Sequence, residues 1–249
     1  MLAAANLSLH RGGVPVLSEI NVALETGRMT AICGANGAGK SSLLMALAGL
    51  LDPAAGAVTL GGEALSSMHP RRRAQLIGYL PQEAEVAWDV AVESLVRLGR
   101  MPHRDDLGVS GKAAVEAAIA ALDLGTLRQR PVSYLSGGEK ARALLARVLA
   151  GEPQWILADE PFAALDLAHQ RGLLRHLRTV AQAGAGVVLV VHDLATAMNH
   201  ADRVLVLHEG SLLADGAPQQ ALTPAIIAQG WGVAARWIGE PGAFALVVE

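Results

Sequence analysis

The chain has 249 residues, 52% of them hydrophobic but only 3% aromatic, and a formal net charge of −3. That length holds one large α/β domain with a core of Ala, Leu and Val, and the mildly acidic balance argues against nucleic acid as the main partner. A single cysteine, Cys33, excludes a disulfide framework and suits a reducing compartment.

The N-terminus, MLAAANLSLH, lacks a basic segment followed by a long apolar stretch and does not read as a signal peptide. The first predicted buried strand, Met29–Cys33, runs into Gly34-Ala35-Asn36-Gly37-Ala38-Gly39-Lys40-Ser41-Ser42, and a helix is predicted from Lys40 to Ala48. Gly34-x-x-x-x-Gly39-Lys40-Ser41 matches the phosphate-binding P-loop in its required context of strand before and helix after. Glycines let consecutive N–H groups curl toward phosphate oxygens, and the helix N-terminus adds partial positive charge. Lys40 would then reach the β- and γ-phosphates and the Ser41 hydroxyl would ligate Mg²⁺. The competing reading is a flexible turn before an ordinary helix. Arg71-Arg72-Arg73, after Pro70, reads as the solvated first turn of a helix rather than a site for an anionic partner.

A second strand, Leu76–Leu80, leads into Pro81-Gln82. From Glu83 to about Gly151 the pattern is helical without a convincing strand, with helices at Ala113–Leu122 and Lys140–Ala150, and reads as a helical lobe inserted into the α/β core. Ser136-Gly137-Gly138-Glu139 opens the second of these helices. It suits an anion and a plain capping box equally. The strand Trp155–Ala158 ends in Asp159-Glu160, two acids that are costly to leave unpaired there. Asp159 would serve Mg²⁺ and Glu160 an attacking water, against the alternative of an acidic helix start. A helix at Ala168–Ala183 precedes the strand Val187–Val191, which runs into His192, and a strand at Val204–Leu207. The densest apolar run, GVVLVV at 186–191, is too short to span a bilayer, so the chain is expected to be soluble and cytoplasmic. After Gly216, repeated Pro and Gly predict an irregular appendage. Four strands thus end in polar residues, and a parallel sheet would bring Lys40, Gln82, Asp159, Glu160 and His192 to one edge.

Taken together these stretches resemble the ATP-binding subunit of an ABC transporter over almost the whole chain. GANGAGKS resembles its Walker A; Gln82 in YLPQ, the Q-loop glutamine; LSGGE, Leu135 to Glu139, the signature; WILADE, the Walker B with Asp159 and Glu160; AALD, Ala163 to Asp166, the D-loop; and His192, the switch histidine. The resemblance implies a P-loop NTPase of α/β class: a mainly parallel core sheet flanked by helices, an N-terminal antiparallel β region and an inserted helical subdomain. It implies a catalytic core at 1–82 and 152–215, a helical subdomain at 83–151 and a C-terminal appendage at 216–249. The catalytic residues carried over are Glu160, His192, Lys40 and Gln82. Those for the nucleotide are Arg11, Gly34, Asn36, Gly37, Ala38, Gly39, Lys40, Ser41, Ser42, Ser136, Gly138 and Asp166; those for Mg²⁺ are Ser41, Gln82 and Asp159. Two copies would face each other, with Ser136 and Gly138 of one closing on the γ-phosphate of ATP held by the other, and His192 holding that phosphate.

The chain departs from the family in places. No Phe, Tyr or Trp precedes Tyr79, so Arg11 in RGGVPVL stands where an aromatic ring usually stacks on adenine, with His10 beside it. Glu139 replaces the commoner glutamine, and Phe162 a common threonine or serine. WDVAVESLVRLGRMPHR, Trp88 to Arg104, resembles the segment after the Q-loop in importers for iron–siderophore, haem and cobalamin. That implies a separate membrane permease, indirectly a substrate-binding protein, and a place on the cytoplasmic side of the inner membrane. The alternatives are a soluble ABC ATPase, as in iron–sulfur cluster assembly, and a binding module without hydrolysis. Cys33 reads as packing.

Overall fold

The computed structural model describes all residues except 83–88, 107 and 164, so Trp88, the start of the lobe at Glu83 and Ala164 of the AALD stretch lie outside the described residues. Its contacts divide the chain into two compact units, Met1–Met68 with Gly186–Glu249, and His69–Ala185. In chain order the first unit begins with β1 (Leu2–Arg11), β2 (Val14–Leu24), β3 (Met29–Gly34), α1 (Lys40–Leu47), β4 (Ala55–Leu60) and β5 (Glu63–Ala64). The second unit supplies α2 (Pro70–Leu76), β6 (Ile77–Leu80), α3 (Val92–Arg97), α4 (Val109–Ala121), α5 (Gly137–Ala150), β7 (Trp155–Asp159) and α6 (Leu167–Gln182). The chain then returns to the first unit with β8 (Gly186–Val190), α7 (Leu194–His200), β9 (Arg203–His208), β10 (Ser211–Gly216), α8 (Pro218–Ala221), α9 (Pro224–Trp231), β11 (Ala235–Ile238) and β12 (Ala245–Val248).

In the first unit, β1 and β2 form a long antiparallel hairpin closed by Gly12-Gly13, both at positive φ (58° and 81°). Two central residues at positive φ are what a type I′ hairpin turn requires. Alternation puts Leu2, Ala4, Leu7 and Leu9 of β1 inside, and the slip from even to odd positions coincides with the register shift around Asn6. β1 also pairs antiparallel with β4, which carries β5. A second sheet runs parallel from β9 through β3 to β8, with β10 antiparallel on the outer side of β9. All six residues of β3 and all five of β8 are buried, as expected of parallel strands covered on both faces. The second unit has its own parallel pair, β6 and β7, and among the described residues four α-helices follow α2, of which α6 buries Leu173, Leu174, Leu177 and Ala181 along one stripe.

The expected α/β fold is thus present, with strand positions within a residue or two of those read from the sequence. Two expectations are corrected. The chain beyond Gly216 is not irregular but forms α8, α9 and the antiparallel pair β11–β12. Nor is Arg71 solvated: its Nε donates to the Pro102 carbonyl at 2.6 Å and its Nη2 to that of His103 at 3.3 Å, while Gln75 Nε2 donates to Pro102 at 2.9 Å. The LGRMPHR run is a turn built around Arg100, only 3% exposed. Arg100 holds Asp105 with two bonds (2.9 and 2.5 Å), Glu152 at 2.7 Å and the Ala150 carbonyl at 3.0 Å. The bond to Asp105 raises the guanidinium pKa and holds the Asp105 carboxyl below its usual range.

Two outcomes follow. Arg100→Ala removes a buried cation bonded to both Asp105 and Glu152, and should lower the unfolding free energy by about 2–4 kcal/mol in urea. Arg97→Ala, which breaks a pair with Glu93 at the surface, should change it by less than about 1 kcal/mol. Cys33 lies fully buried in β3, and burial pushes its thiol up to about 12, so it should resist an aromatic disulfide reagent at pH 8 in the folded chain and react promptly in denaturant. Fast reaction of the folded chain would contradict the packing of β3.

Candidate functional site

In the first unit β3 delivers the chain to the glycine loop. Gly34 sits at φ 153°, and a Cβ there would lie 2.4 Å from the Leu207 carbonyl oxygen, so no other residue fits. Gly39, left-handed at φ 98°, turns the chain into α1, whose first N–H groups have no intrahelical acceptor. Lys40 is the first residue of that helix and only 6% exposed. Its ammonium donates to the carbonyls of Gly34 and Ala35, both at 2.9 Å, and so clasps the two ends of the loop together. Asn36 and Gly37 are exposed at the loop's crest, Ala38 and Ser42 are buried, and Ser41 is half-buried on the first turn of α1.

The register of β3 on β8 brings His192 to the same edge. Ile32 pairs with Val190, and Val191 N donates to Ile32 O at 3.1 Å, so the chain leaves β8 at His192 beside the point where β3 becomes the loop. His192 is exposed. Asp193 follows as the N-cap of α7, accepting from Ala195 N (3.1 Å) and Thr196 N (2.9 Å). The Cys33 thiol feels both neighbours: after burial, Lys40 lowers its pKa and Asp193 raises it. Arg11 lies at the tip of the β1–β2 hairpin, paired in register with Val14 and exposed. The same hairpin packs its Leu17 side chain 2.7 Å from where a Cβ on Gly39 would stand.

The second unit assembles the carboxylate side. Parallel pairing of Leu80 with Ala158 ends β6 and β7 at the same level, and Gln82 Nε2 donates to Glu160 Oε2 at 2.8 Å. Asp159 is 4% exposed, and its charge adds to burial in pushing the Tyr79 hydroxyl up to about 12. Glu160 occupies the left-handed region at φ 49°, a strained conformation for a side-chain-bearing residue and one concentrated at functional sites. Ser136 is the N-cap of α5 in a full capping box, Oγ accepting from Glu139 N (3.3 Å) and Ser136 N donating to Glu139 Oε2 (2.8 Å). Those bonds hold the Glu139 carboxyl below its usual range. Gly138 lies on the first turn. Asp166 caps α6, its Oδ1 accepting from His169 N at 2.8 Å and meeting His169 Nδ1 at 2.8 Å.

Lys40 and His192 therefore share one edge in the first unit, and Gln82, Asp159 and Glu160 share one in the second. The direct bond from Gln82 to Glu160 was not anticipated, although strands predicted to end side by side carry the signal for it. Asp193 was also missed, although an Asp directly before the apolar Leu194 is a helix N-cap signal that could have flagged it.

Residues 17–163 match the ABC transporter family. A hemin import ATP-binding protein of Bordetella avium is 38% identical over 248 residues, covering 96% of this chain and 95% of that one. Its namesake in Streptomyces coelicolor is 41% identical over 249 residues, covering 100% and 89%, and that in Pseudomonas entomophila is 42% identical over 238 residues, covering 94% and 93%. Among solved structures, one assigned to the metal-chelate type of ABC transporter, in an inward-facing conformation, superposes with a TM-score of 0.82 at 26% identity, covering 100% of this chain and 96% of that one. An ATP-binding subunit of an ABC transporter superposes with a TM-score of 0.80 at 26% identity, covering 93% of each chain. With its P-loop, its paired carboxylates and these relatives along nearly its whole length, the chain belongs to the ABC transporter family as an ATP-hydrolysing subunit.

Proposed function

We propose that two copies of this chain form the ATPase that powers import of a metal chelate, haem foremost, through a separate membrane permease. The observation that supports this most is the agreement of relatives 38 to 42% identical along nearly the whole chain, all named for hemin import. The metal-chelate type of the neighbouring structure adds to it. No helix among the described residues is long and apolar enough to cross a membrane. In this reading the permease holds the chain at the cytoplasmic face. The helical lobe, residues 83–151, docks on that permease, and the substrate-binding protein acts only indirectly.

Each residue then has a role toward the nucleotide. Lys40 and the N–H groups of Gly34 to Ser42 hold the phosphates, and Arg11 stacks its guanidinium plane on the base. Glu160, oriented by Gln82, takes a proton from the water that attacks the γ-phosphorus. The bond to the β–γ bridging oxygen breaks, leaving ADP and phosphate, and His192 holds the transferred group. Ser136, Gly138 and Asp166 of the second copy complete the enclosure. In this reading each residue assigned to the cation would offer an oxygen: the Ser41 hydroxyl, the Asp159 carboxylate, which is buried, and the Gln82 amide, whose Nε2 donates to Glu160. One carboxylate with neutral oxygens and substrate phosphates is what Mg²⁺ prefers. The ion would supply charge neutralisation at the phosphates.

The test is nutritional. Replacing the chain in its source organism with the Lys40→Ala variant should abolish growth on haem as sole iron source while growth on ferric salts persists. Normal growth on haem with loss of cobalamin or siderophore uptake would move the substrate elsewhere. Unaltered uptake of all three would contradict the importer reading.

A further inference from the structure

A helix of seven residues does not hold itself in water, so the position of α7 is set by what grips it. At its start Asp193 accepts from the backbone of residues 195 and 196, and from the Thr196 hydroxyl at 2.5 Å. Beyond its end, Asp202 is locked to β3: Asp202 N donates to Met29 O, and Met29 N donates to Asp202 Oδ2, each at 2.8 Å. Leu194, Ala197 and Met198 supply the buried apolar side. The remaining flank carries Asn199, whose amide bonds through both its nitrogen and its oxygen. Its Nδ2 donates to Phe244 O at 2.8 Å and to Ala195 O at 2.9 Å, and its Oδ1 accepts from Phe244 N at 2.8 Å.

Phe244 adjoins β12, so this one side chain pairs with the C-terminal hairpin as a strand would, donor to acceptor and acceptor to donor. The far side of the hairpin is fastened as well. The Trp237 indole N–H donates to Leu222 O at 2.7 Å, and the Trp237 and Phe244 rings meet edge to face with centroids 6.4 Å apart. A two-stranded sheet is marginal by itself, and these anchors order it. In return it fixes the flank of α7, and α7 begins two residues after His192, on the β3–β8 edge where Asp193 and Lys40 both act on Cys33.

We infer that the C-terminal hairpin is a strap on the helix that follows His192, and that Asn199 is the positioning residue through which it keeps the histidine in register with the glycine loop. This rests on His192 acting in hydrolysis. It assigns a purpose to residues 235–248, which carry none of the ATPase motifs.

The experiment is a double-mutant cycle in the full chain. Steady-state ATPase is measured for wild type, Asn199→Ala, His192→Ala and the double variant, with amide hydrogen exchange as a second readout. A displaced catalytic group costs turnover rather than ground-state binding, so Asn199→Ala should lower kcat roughly ten- to a hundredfold and leave the KM for ATP within about twofold. In the His192→Ala background it should cost nothing further. Exchange should rise at Phe244 and also along residues 192–200. If the two losses multiply, if Asn199→Ala keeps wild-type kcat, or if exchange rises in the hairpin alone, the strap is refuted while the role of His192 stands. If His192→Ala itself turns over at the wild-type rate, the catalytic reading of the histidine falls and the strap falls with it.

Discussion

The ammonium of Lys40, bonded at 2.9 Å to the carbonyls of both Gly34 and Ala35, is the contact on which the first unit is organised. A buried cation would be costly without such partners, and the carbonyls can reach it only if the chain turns back sharply between β3 and α1. That turn needs a left-handed Gly39 and a Gly34 pressed against the Leu207 backbone. β9 is thereby fixed beside β3, and β8 on the other side presents His192. The β1–β2 hairpin closes over the loop through Leu17. Loosening the clasp would disturb each of these neighbours, because they share β3.

The second unit answers with a different constraint. Glu160 is held at positive φ and bonded to Gln82, so its carboxylate is aimed rather than left to solvent. Strain of this kind persists only where surrounding contacts over-determine the backbone, and here β7 is entirely buried up to Asp159. The turn around Arg100 stiffens the other end of β7, since Arg100 grips Ala150 and Glu152 just before the strand begins.

Much of this was legible in the sequence, for reasons that differ by residue. The glycine loop, Lys40 and the Ser136–Glu139 box are local, encoded within a few positions by conformational preference and hydrogen-bonding capacity. Strand ends were readable because apolar runs stop abruptly at polar residues. Contacts between distant positions were not. Gln82 meets Glu160 because β6 pairs with β7, Arg71 reaches Pro102 across 31 residues, and Asn199 reaches Phe244 across 45. No periodicity announces such pairs. The Pro- and Gly-rich C-terminus looked irregular for a related reason: its order comes from anchors on α7 and α8 rather than from its own pattern. Arg11 is the last residue of β1, paired with Val14 at the end of the hairpin, and nothing local in RGGVPVL encodes a partner for its guanidinium.

The measurement that bears most directly on a nucleotide site shared by two copies is gel filtration of the Glu160→Gln variant, with and without Mg-ATP. Replacing the carboxylate by an isosteric amide removes the proton acceptor and keeps the hydrogen-bonding shape, so ATP should remain bound unhydrolysed. The account predicts a dimer that appears only with nucleotide and disappears when ATP is withdrawn. Wild-type ATP turnover by Glu160→Gln, or tight ATP binding by a chain that stays monomeric at every concentration, would contradict it.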